Sequence, residues 1–164
     1  MKIISIDPGY ERLGLAVVEK KAGQIKLLFS TCLLTTKNDE FAVRLKYLGE
    51  RIDQEIKKWQ PNGLALEKVF FAKNQKTAGQ ISEVRGMIIY LTAKANIHLY
   101  EYTPMEIKNT VGGYGGADKN QIITMVEKLL SLTEKKKYDD EYDAIATGLT
   151  CLARIKATYP QEKT

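Results

Sequence analysis

Four carboxylates stand out in the sequence because each lies at the end of an apolar run or interrupts one. Asp7 ends the run KIISID, and Glu67 ends the run LALE. Asp140 and Asp143 are three residues apart in DDEYDAIA, a spacing that places both side chains on one face of a helix. Carboxylates that lie close together raise one another's pKa unless a positive charge lies among them. A hard divalent cation such as Mg²⁺, which prefers oxygen ligands, would supply that charge.

Some of these acids also have a structural explanation. Asp139 and Asp140 could cap the N-terminus of a helix, and we predict that Asp139 is the cap. Asp143, one turn further along and bordered by apolar residues, is harder to explain in this way. Glu67 could pair with the adjacent Lys68 or with another surface cation. Taken alone, the four acids leave both interpretations open.

The surrounding pattern predicts elements that could bring the acids together. Strands are predicted at 2–7, 13–20 and 24–34, and the turns Pro8-Gly9 and Lys21-Ala22-Gly23 make them an antiparallel meander. Further strands are predicted at 64–69 and 97–102, with helices at 40–58, 77–95, 104–111, 118–132 and 140–157, the third capped by Thr103 with Pro104 first. This order indicates an α/β domain with a mixed five-stranded sheet flanked by helices. Sites in such sheets lie at the carboxyl ends of strands, where Asp7 and Glu67 fall.

Length and composition indicate one folded domain. The chain has 164 residues, of which 44% are hydrophobic and 27% charged, so we expect a single domain over 1–158 with a short polar tail at 159–164. The apolar runs are shorter than a membrane span and the N-terminus does not resemble a signal peptide, which favours a cytoplasmic protein. Cys32 and Cys151 lie in apolar contexts and are predicted to be reduced packing residues.

The charge pattern is compatible with a polyanionic partner. With 25 Lys and Arg against 20 Asp and Glu the net charge is +5, a value that many proteins without such a partner also reach. The distribution is more informative than the total. Several lysines fall in or beside predicted loops: Lys68, Lys73, Lys76, Lys108 and Lys119. The sequence therefore predicts a basic rim around an acidic centre.

Four segments, taken in order, carry a resemblance to a known family. They are IDPGYERLG at 6–14, LALEKVFFAKNQKTA at 64–78, YTPMEIKNTVGGYGGADKNQI at 102–122 and DDEYDAIA at 139–146. With them the chain resembles the RuvC family of Holliday junction resolvases, in the RNase H-like nuclease superfamily, over nearly its whole length. The resemblance implies an RNase H-like fold and two-metal hydrolysis of four-way DNA junctions, leaving 5′-phosphate ends, in recombination and repair. Many members carry a polar turn containing Thr-Gly after Asp-Pro-Gly, where this chain has Tyr10 to Gly14, so no DNA contact is assigned to this turn.

The resemblance also implies roles for individual residues. Asp7, Glu67, Asp140 and Asp143 would be the catalytic acids and the ligands of two Mg²⁺ ions, for which Mn²⁺ could substitute. Lys108 and Lys119 would face the scissile phosphate, Phe70 would probe the DNA, and Lys73 and Tyr114 are further candidates for DNA contact. The alternatives are that Phe70 is a core residue, that the lysines are solvated charges, and that Tyr114 is a spacer in its glycine-rich loop.

A junction with two-fold symmetry that needs two nicks suggests a homodimer. The predicted helix 77–95 carries an apolar stripe that a partner helix could cover: Ala78, Ile81, Val84, Ile88, Leu91 and Ala95. The same stripe could instead cover the helix's own sheet, and this must be at least partly so. A branch-migration motor could be a further partner.

Two other classes of function remain open from the sequence. The segment SIDPGYERLG is similar to the phosphate loop of actin-like sugar kinases and ATPases, but that class normally needs two such domains. A junction-binding module without catalysis, or a related RNase H-like nuclease acting on other branched or hybrid nucleic acids, would share many features. The intact acids favour an enzyme. The sequence leaves open any base preference at the cleavage site and the strictness for four-way junctions.

Overall fold

The first three strands form the antiparallel meander that the sequence predicts. The computed structural model describes residues 1–68 and 75–158, and in it β1 spans Lys2–Asp7, β2 Arg12–Lys21 and β3 Gln24–Leu34. Gly14 of β2 lies between Asp7 of β1 and Cys32 of β3 in the paired register. Aliphatic side chains on both faces of β1 and β2 are completely buried. Asp7 is therefore the acid that ends a strand at the buried centre of the sheet.

The remaining elements complete a mixed five-stranded sheet flanked by helices. They are α1 (Phe41–Trp59), β4 (Gly63–Glu67), α2 (Gln75–Lys94), β5 (His98–Tyr102), α3 (Pro104–Gly112), α4 (Lys119–Leu130) and α5 (Asp139–Thr158). The strand order is β3-β2-β1-β4-β5, and β4 and β5 run parallel to β1. Because β1 and β4 are adjacent and parallel, Asp7 and Glu67 end neighbouring strands at the same edge. The predicted fold class is confirmed.

The helices cover both faces of the sheet. On one face, α1 and α2 bury Leu48, Ile52 and Ile88 against the strands. On the other face, α3, α4 and α5 form a second core around residues such as Ile107 and Ile145. This three-layer arrangement leaves the strand ends as the place where polar side chains from several elements can meet. In the part of the chain that the structure describes, no helix is both long and apolar enough to cross a membrane.

The apolar stripe of α2 faces the sheet of its own chain. Val84, Ile88 and Leu91 are buried in the core beneath the helix. The outward side of α2 instead carries Ile89 and Tyr90, whose relative exposures are 40% and 65%. The interpretation that the stripe covers its own sheet is therefore correct for its buried members. Ile89 and Tyr90 are large hydrophobic residues of α2 that remain at the surface.

The helix starts confirm one predicted cap and correct another. Thr103 caps α3 in a reciprocal arrangement with Glu106, and Pro104 is the first helical residue, as predicted. Asp139, predicted to cap α5, is instead the first residue of that helix. One of its carboxylate oxygens lies 3.3 Å from Nζ of Lys119. The predicted cap therefore lies inside the helix, and its carboxylate pairs with a cation on another helix.

Candidate active site

Three elements bring the four predicted acids to one edge of the sheet. Asp7 ends β1 and Glu67 ends β4, while Asp140 and Asp143 lie in the first turns of α5. The start of α5 passes directly over Gly14, next to Asp7 in the sheet. A Cβ atom added to Gly14 would lie 1.9 Å from the backbone carbonyl oxygen of Asp140. Glycine is required here because any side chain would push α5, and both of its acids, away from β1.

The acids influence one another electrostatically. Asp7 keeps a small exposed area, yet protein surrounds its carboxyl group, and burial is the main cause that raises its pKa well above the ordinary value. The charges of Glu67, Asp143 and Asp140 raise the pKa of Asp7 further. Burial, followed by the charge of Asp143, raises the pKa of Glu67 from 4.5 to about 7. Burial likewise raises the pKa of Asp143. The cluster is a concentration of negative charge that is costly without a cation.

Lys119 lies among these carboxylates. Its Nζ is 3.3 Å from an oxygen of Asp143 and 3.3 Å from an oxygen of Asp139. Loss of water around Lys119 lowers its pKa, but the two carboxylates outweigh this effect and the pKa is raised overall. Asp118 caps α4 directly before Lys119 and fixes the start of that helix. Lys119 is therefore a positioned, half-exposed cation at the edge of the acidic cluster.

A cavity with a volume of about 260 Å³ lies beside the acidic cluster. Two of the predicted acids and both predicted lysines line it: Glu67, Asp143, Lys108 and Lys119. The rest of the lining is largely apolar and comes from α3, α4 and α5: Pro104, Ile107, Ile122 and Ala146. The structure thus brings Lys108 to the same space as Glu67, although the two residues are far apart in the sequence.

Of the three further residues predicted to contact DNA, the structure describes only Tyr114. Phe70 and Lys73 lie outside the described residues. Tyr114 is about half exposed, and its hydroxyl donates to Oε1 of Gln121 over 2.8 Å. It lines a separate hollow with Asp118 and Gln121 instead of the cavity beside the acids. The structure therefore does not bring Tyr114 together with the acidic cluster.

Two arginines of the site were missed from the sequence. Arg12 lies beside Asp140, with 3.3 Å between Nε and Oδ2. Arg85 on α2 donates to the backbone carbonyl of Glu67 and pairs with the carboxylate of Glu101 on β5. A signal for Arg85 was present, since it lies four residues after Ile81 and three before Ile88, on the apolar side of the helix. A charge at such a position needs a buried partner.

The donor set fits a hard divalent cation, although the side chains do not yet form a closed site. Carboxylates are the ligands such ions prefer. Asp140 Oδ2 is buried and accepts no hydrogen bond from the residues that the structure describes, because the nearby Arg12 guanidinium is not aligned with it. Within residues 1–68 and 75–158, no three Asp, Glu, His or Cys side chains stand together as a metal site.

Comparison with known proteins agrees with the geometry. The family model described as "Crossover junction endodeoxyribonuclease RuvC" matches residues 3–151. A protein of that name from Petrotoga mobilis is 43% identical over 148 residues, covering 90% of this chain and 91% of the relative. The corresponding protein from Thermosipho melanesiensis is 40% identical over 153 residues, covering 93% of this chain and 97% of the relative.

Solved structures of similar sequence share the fold. The RuvC structure from Thermus thermophilus superposes with a TM-score of 0.86 at 28% identity, covering 96% of each chain. RuvC of the same organism in complex with a Holliday junction substrate gives a TM-score of 0.87 at 29% identity, covering 94% of this chain and 96% of that one. This chain and these structures have the same fold, and in this chain the acids of β1, β4 and α5 lie at one edge of the sheet. The chain therefore belongs to the RuvC family of crossover junction endodeoxyribonucleases.

Proposed function

We propose that this protein is a DNA endonuclease that resolves four-way junctions by paired, symmetric nicks in recombination and repair. The observation that carries the proposal is the convergence of Asp7, Glu67, Asp140 and Asp143 with two lysines at one sheet edge, in a chain of the RuvC family. The family relationship is supported by relatives that share 43% and 40% of their aligned residues with this chain. The Thermus protein, which has the same fold, was solved with a Holliday junction substrate.

The four acids would hold divalent cations, whose use is a property of the family. We propose two Mg²⁺ ions per site, with Mn²⁺ as a substitute, because every donor is a carboxylate. When bound, such ions neutralise charge on a phosphate and lower the pKa of a water molecule. Without them, the Glu67 carboxyl group would be about half protonated near pH 7, since its pKa is about 7. Nearby positive charge favours the ionised, ligating form.

The chain's own residues then have separable tasks. The buried strand β1 fixes Asp7, and α5 carries both Asp140 and Asp143. Lys108 and Lys119, which line the cavity, would bind the phosphate to be cut and neutralise the charge that develops on it. The apolar wall of the cavity reduces solvent screening and so strengthens these interactions. The expected products carry a 5′-phosphate and a 3′-hydroxyl.

Two symmetric nicks are explained most simply by a homodimer with two-fold symmetry. Because the inward stripe of α2 is used within the chain, we propose that the outward face, with Ile89 and Tyr90, meets the partner. A change of Tyr90 to Glu should then shift the protein towards the monomer in sedimentation experiments without unfolding it. A cytoplasmic location and association with a branch-migration motor are part of the same proposal.

The direct test is cleavage of four-way, three-way, flap and linear DNA with Mg²⁺. We expect paired nicks at symmetric positions in the four-way junction and little cutting of linear duplex. Asp7→Asn, which keeps the shape but removes a charge, should lower the cleavage rate by about 100-fold or more while junction binding is retained. Equal cutting of linear duplex, or near-normal activity of Asp7→Asn, would contradict the proposal.

A further inference from the structure

Arg12 is the charged partner of a buried carboxylate oxygen in the acidic cluster, Oδ2 of Asp140. Its Nε lies 3.3 Å from Oδ2 of Asp140, and the two side chains are 57% and 15% exposed. The contact lacks the alignment of a hydrogen bond, so Oδ2 accepts none from the described residues. The contact is therefore a charge interaction between a largely solvated guanidinium and a largely buried carboxylate, and such contacts separate easily.

The backbone that carries Arg12 is fixed, whereas its side chain can move. Arg44, itself buried, donates to the carbonyl of Tyr10 over 3.0 Å and to Oγ1 of Thr35 over 2.9 Å. The backbone N–H of Thr35 donates to the carbonyl of Glu11 over 3.0 Å. At Gly9 an added Cβ would lie 1.9 Å from the carbonyl oxygen of Arg12, so the turn is tight. Any displacement of the guanidinium must therefore come from rotation of the side chain.

The place of Arg12 gives it two possible anionic partners. Asp140 is one of the four acids proposed to hold cations, so a divalent cation and the guanidinium compete for the same carboxylate. Once displaced, the guanidinium would stay at the rim of the site, because its backbone is held at the start of β2. The substrate brings phosphate groups to this rim, and Arg binds phosphate with paired, charge-assisted hydrogen bonds.

We propose that Arg12 is an exchangeable counter-ion: it neutralises Asp140 in the metal-free protein, is displaced by the divalent cation, and then binds a phosphate of the DNA substrate. This inference rests on the proposed function for its second step only. The exchange makes metal binding and DNA binding strengthen each other. The cation releases Arg12 for the DNA phosphate, and the phosphate keeps Arg12 from competing with the cation for Asp140. The exchange also assigns a DNA contact to the turn in which this chain departs from the Thr-Gly pattern.

The first step is tested by titrating the protein with Mn²⁺ alone in a calorimeter. Removing the competing charge in Arg12→Met should tighten Mn²⁺ binding by about three- to tenfold, whereas Arg12→Lys should stay close to the unaltered protein. The matched control is Lys37→Met, on a lysine that is 77% exposed and pairs with Glu11 of the same turn over 3.4 Å. It should leave Mn²⁺ affinity unchanged. Equal affinity of Arg12→Met and the unaltered protein would overturn the inference.

The second step is tested by the salt dependence of four-way junction binding, in EDTA and in Ca²⁺, with intact strands verified on denaturing gels. In Ca²⁺, Arg12→Met should reduce the slope of log affinity against log salt by about one, the loss of one phosphate contact. In EDTA, where Arg12 is held at Asp140, the slope should be unchanged. Equal reduction in both conditions, or none in either, would refute the exchange.

The two proposals can fail separately. If the unaltered protein binds no Mn²⁺, or binds junctions no better than linear duplex, the proposed function fails. If the unaltered protein does both and Arg12→Met behaves in the same way, only the role of Arg12 fails. The melting temperature of each variant, measured in EDTA, verifies that the folded state is being compared.

Discussion

Replacing Glu67 by Gln should stabilise the protein when divalent cations are absent and the pH is high. Burial and the charge of Asp143 raise the pKa of Glu67 from 4.5 to about 7 in the folded state. An acid whose pKa is raised by folding destabilises the folded state as the pH rises from its unfolded value through its folded value. Below pH 4.5 the cost is absent, and above pH 7 it is fully present.

The size of the effect follows from the rise in pKa. A factor of ten in acidity corresponds to about 1.4 kcal/mol, so the rise from 4.5 to about 7 corresponds to at most about 3.5 kcal/mol. Because Glu67 is partly exposed, solvent screening reduces this to about 1–2 kcal/mol. For a chain of this length, that is about 2–8 °C in melting temperature. Gln keeps the shape of the side chain and removes the charge.

The assay is thermal and urea unfolding in EDTA between pH 5 and pH 9. Glu67→Gln should be more stable than the unaltered protein at pH 8–9, and the difference should shrink towards pH 5. Added Mg²⁺ should reverse the order, because the unaltered protein gains more from binding the cation. The control is Glu50→Gln, an exposed glutamate that pairs with Lys46 on α1, with an expected effect within about 0.5 kcal/mol. A difference between Glu67→Gln and the unaltered protein that does not vary with pH would refute the reasoning.

Three further changes test other parts of the site. Gly14→Ala should cost about 1–3 kcal/mol of stability and lower the cleavage rate, because the new Cβ displaces α5 at Asp140. The control is Gly79→Ala, where a Cβ meets open space in the described structure, and this change should not destabilise the protein. Lys119→Met should lower the single-turnover cleavage rate by about 100-fold but change junction affinity far less, and equal losses in both would contradict its proposed role. Phe70→Ala should remove about 1–3 kcal/mol of base stacking and impair cutting of intact junctions more than of junctions already unpaired at the crossover, while Phe70→Trp should retain most activity. Equal impairment on both substrates would make Phe70 a scaffold residue.

Much of the fold could be predicted because its signals are local. The run KIISID, rich in β-branched residues and followed by Pro-Gly, indicates a buried strand. Lys21-Ala22-Gly23 supplies the turn that makes the next pairing antiparallel, with Ala22 and Gly23 both at positive φ. The start of α3 is predicted by four consecutive positions, which include the cap Thr103, Pro104 and Glu106. The convergence of Asp7 and Glu67 followed from one general rule, that parallel strands present their carboxyl ends at the same edge.

The features that were missed depend on how distant elements meet. Apolar spacing on α2 shows which side of the helix is apolar, but it cannot show whether that side covers the sheet or a partner. The pairing of Asp139 with Lys119 depends on the approach of α4 to α5. The contact of Arg12 with Asp140 depends on how closely α5 passes over β2, which is permitted by Gly14. No spacing within a single segment encodes these distances.

The position of α5 at the end of the described chain has a consequence for biosynthesis. This helix packs against all five strands and carries Asp140 and Asp143. A ribosome therefore delivers Asp7 and Glu67 well before the residues that complete the acidic cluster, and until then the apolar side of the sheet that α5 covers stays open to solvent and to chaperones. A nascent or prematurely terminated chain that lacks α5 would be both inactive as a nuclease and prone to aggregate. The helix that completes the acidic cluster also completes the core, so the proposed nuclease activity requires α5 to be folded onto the sheet.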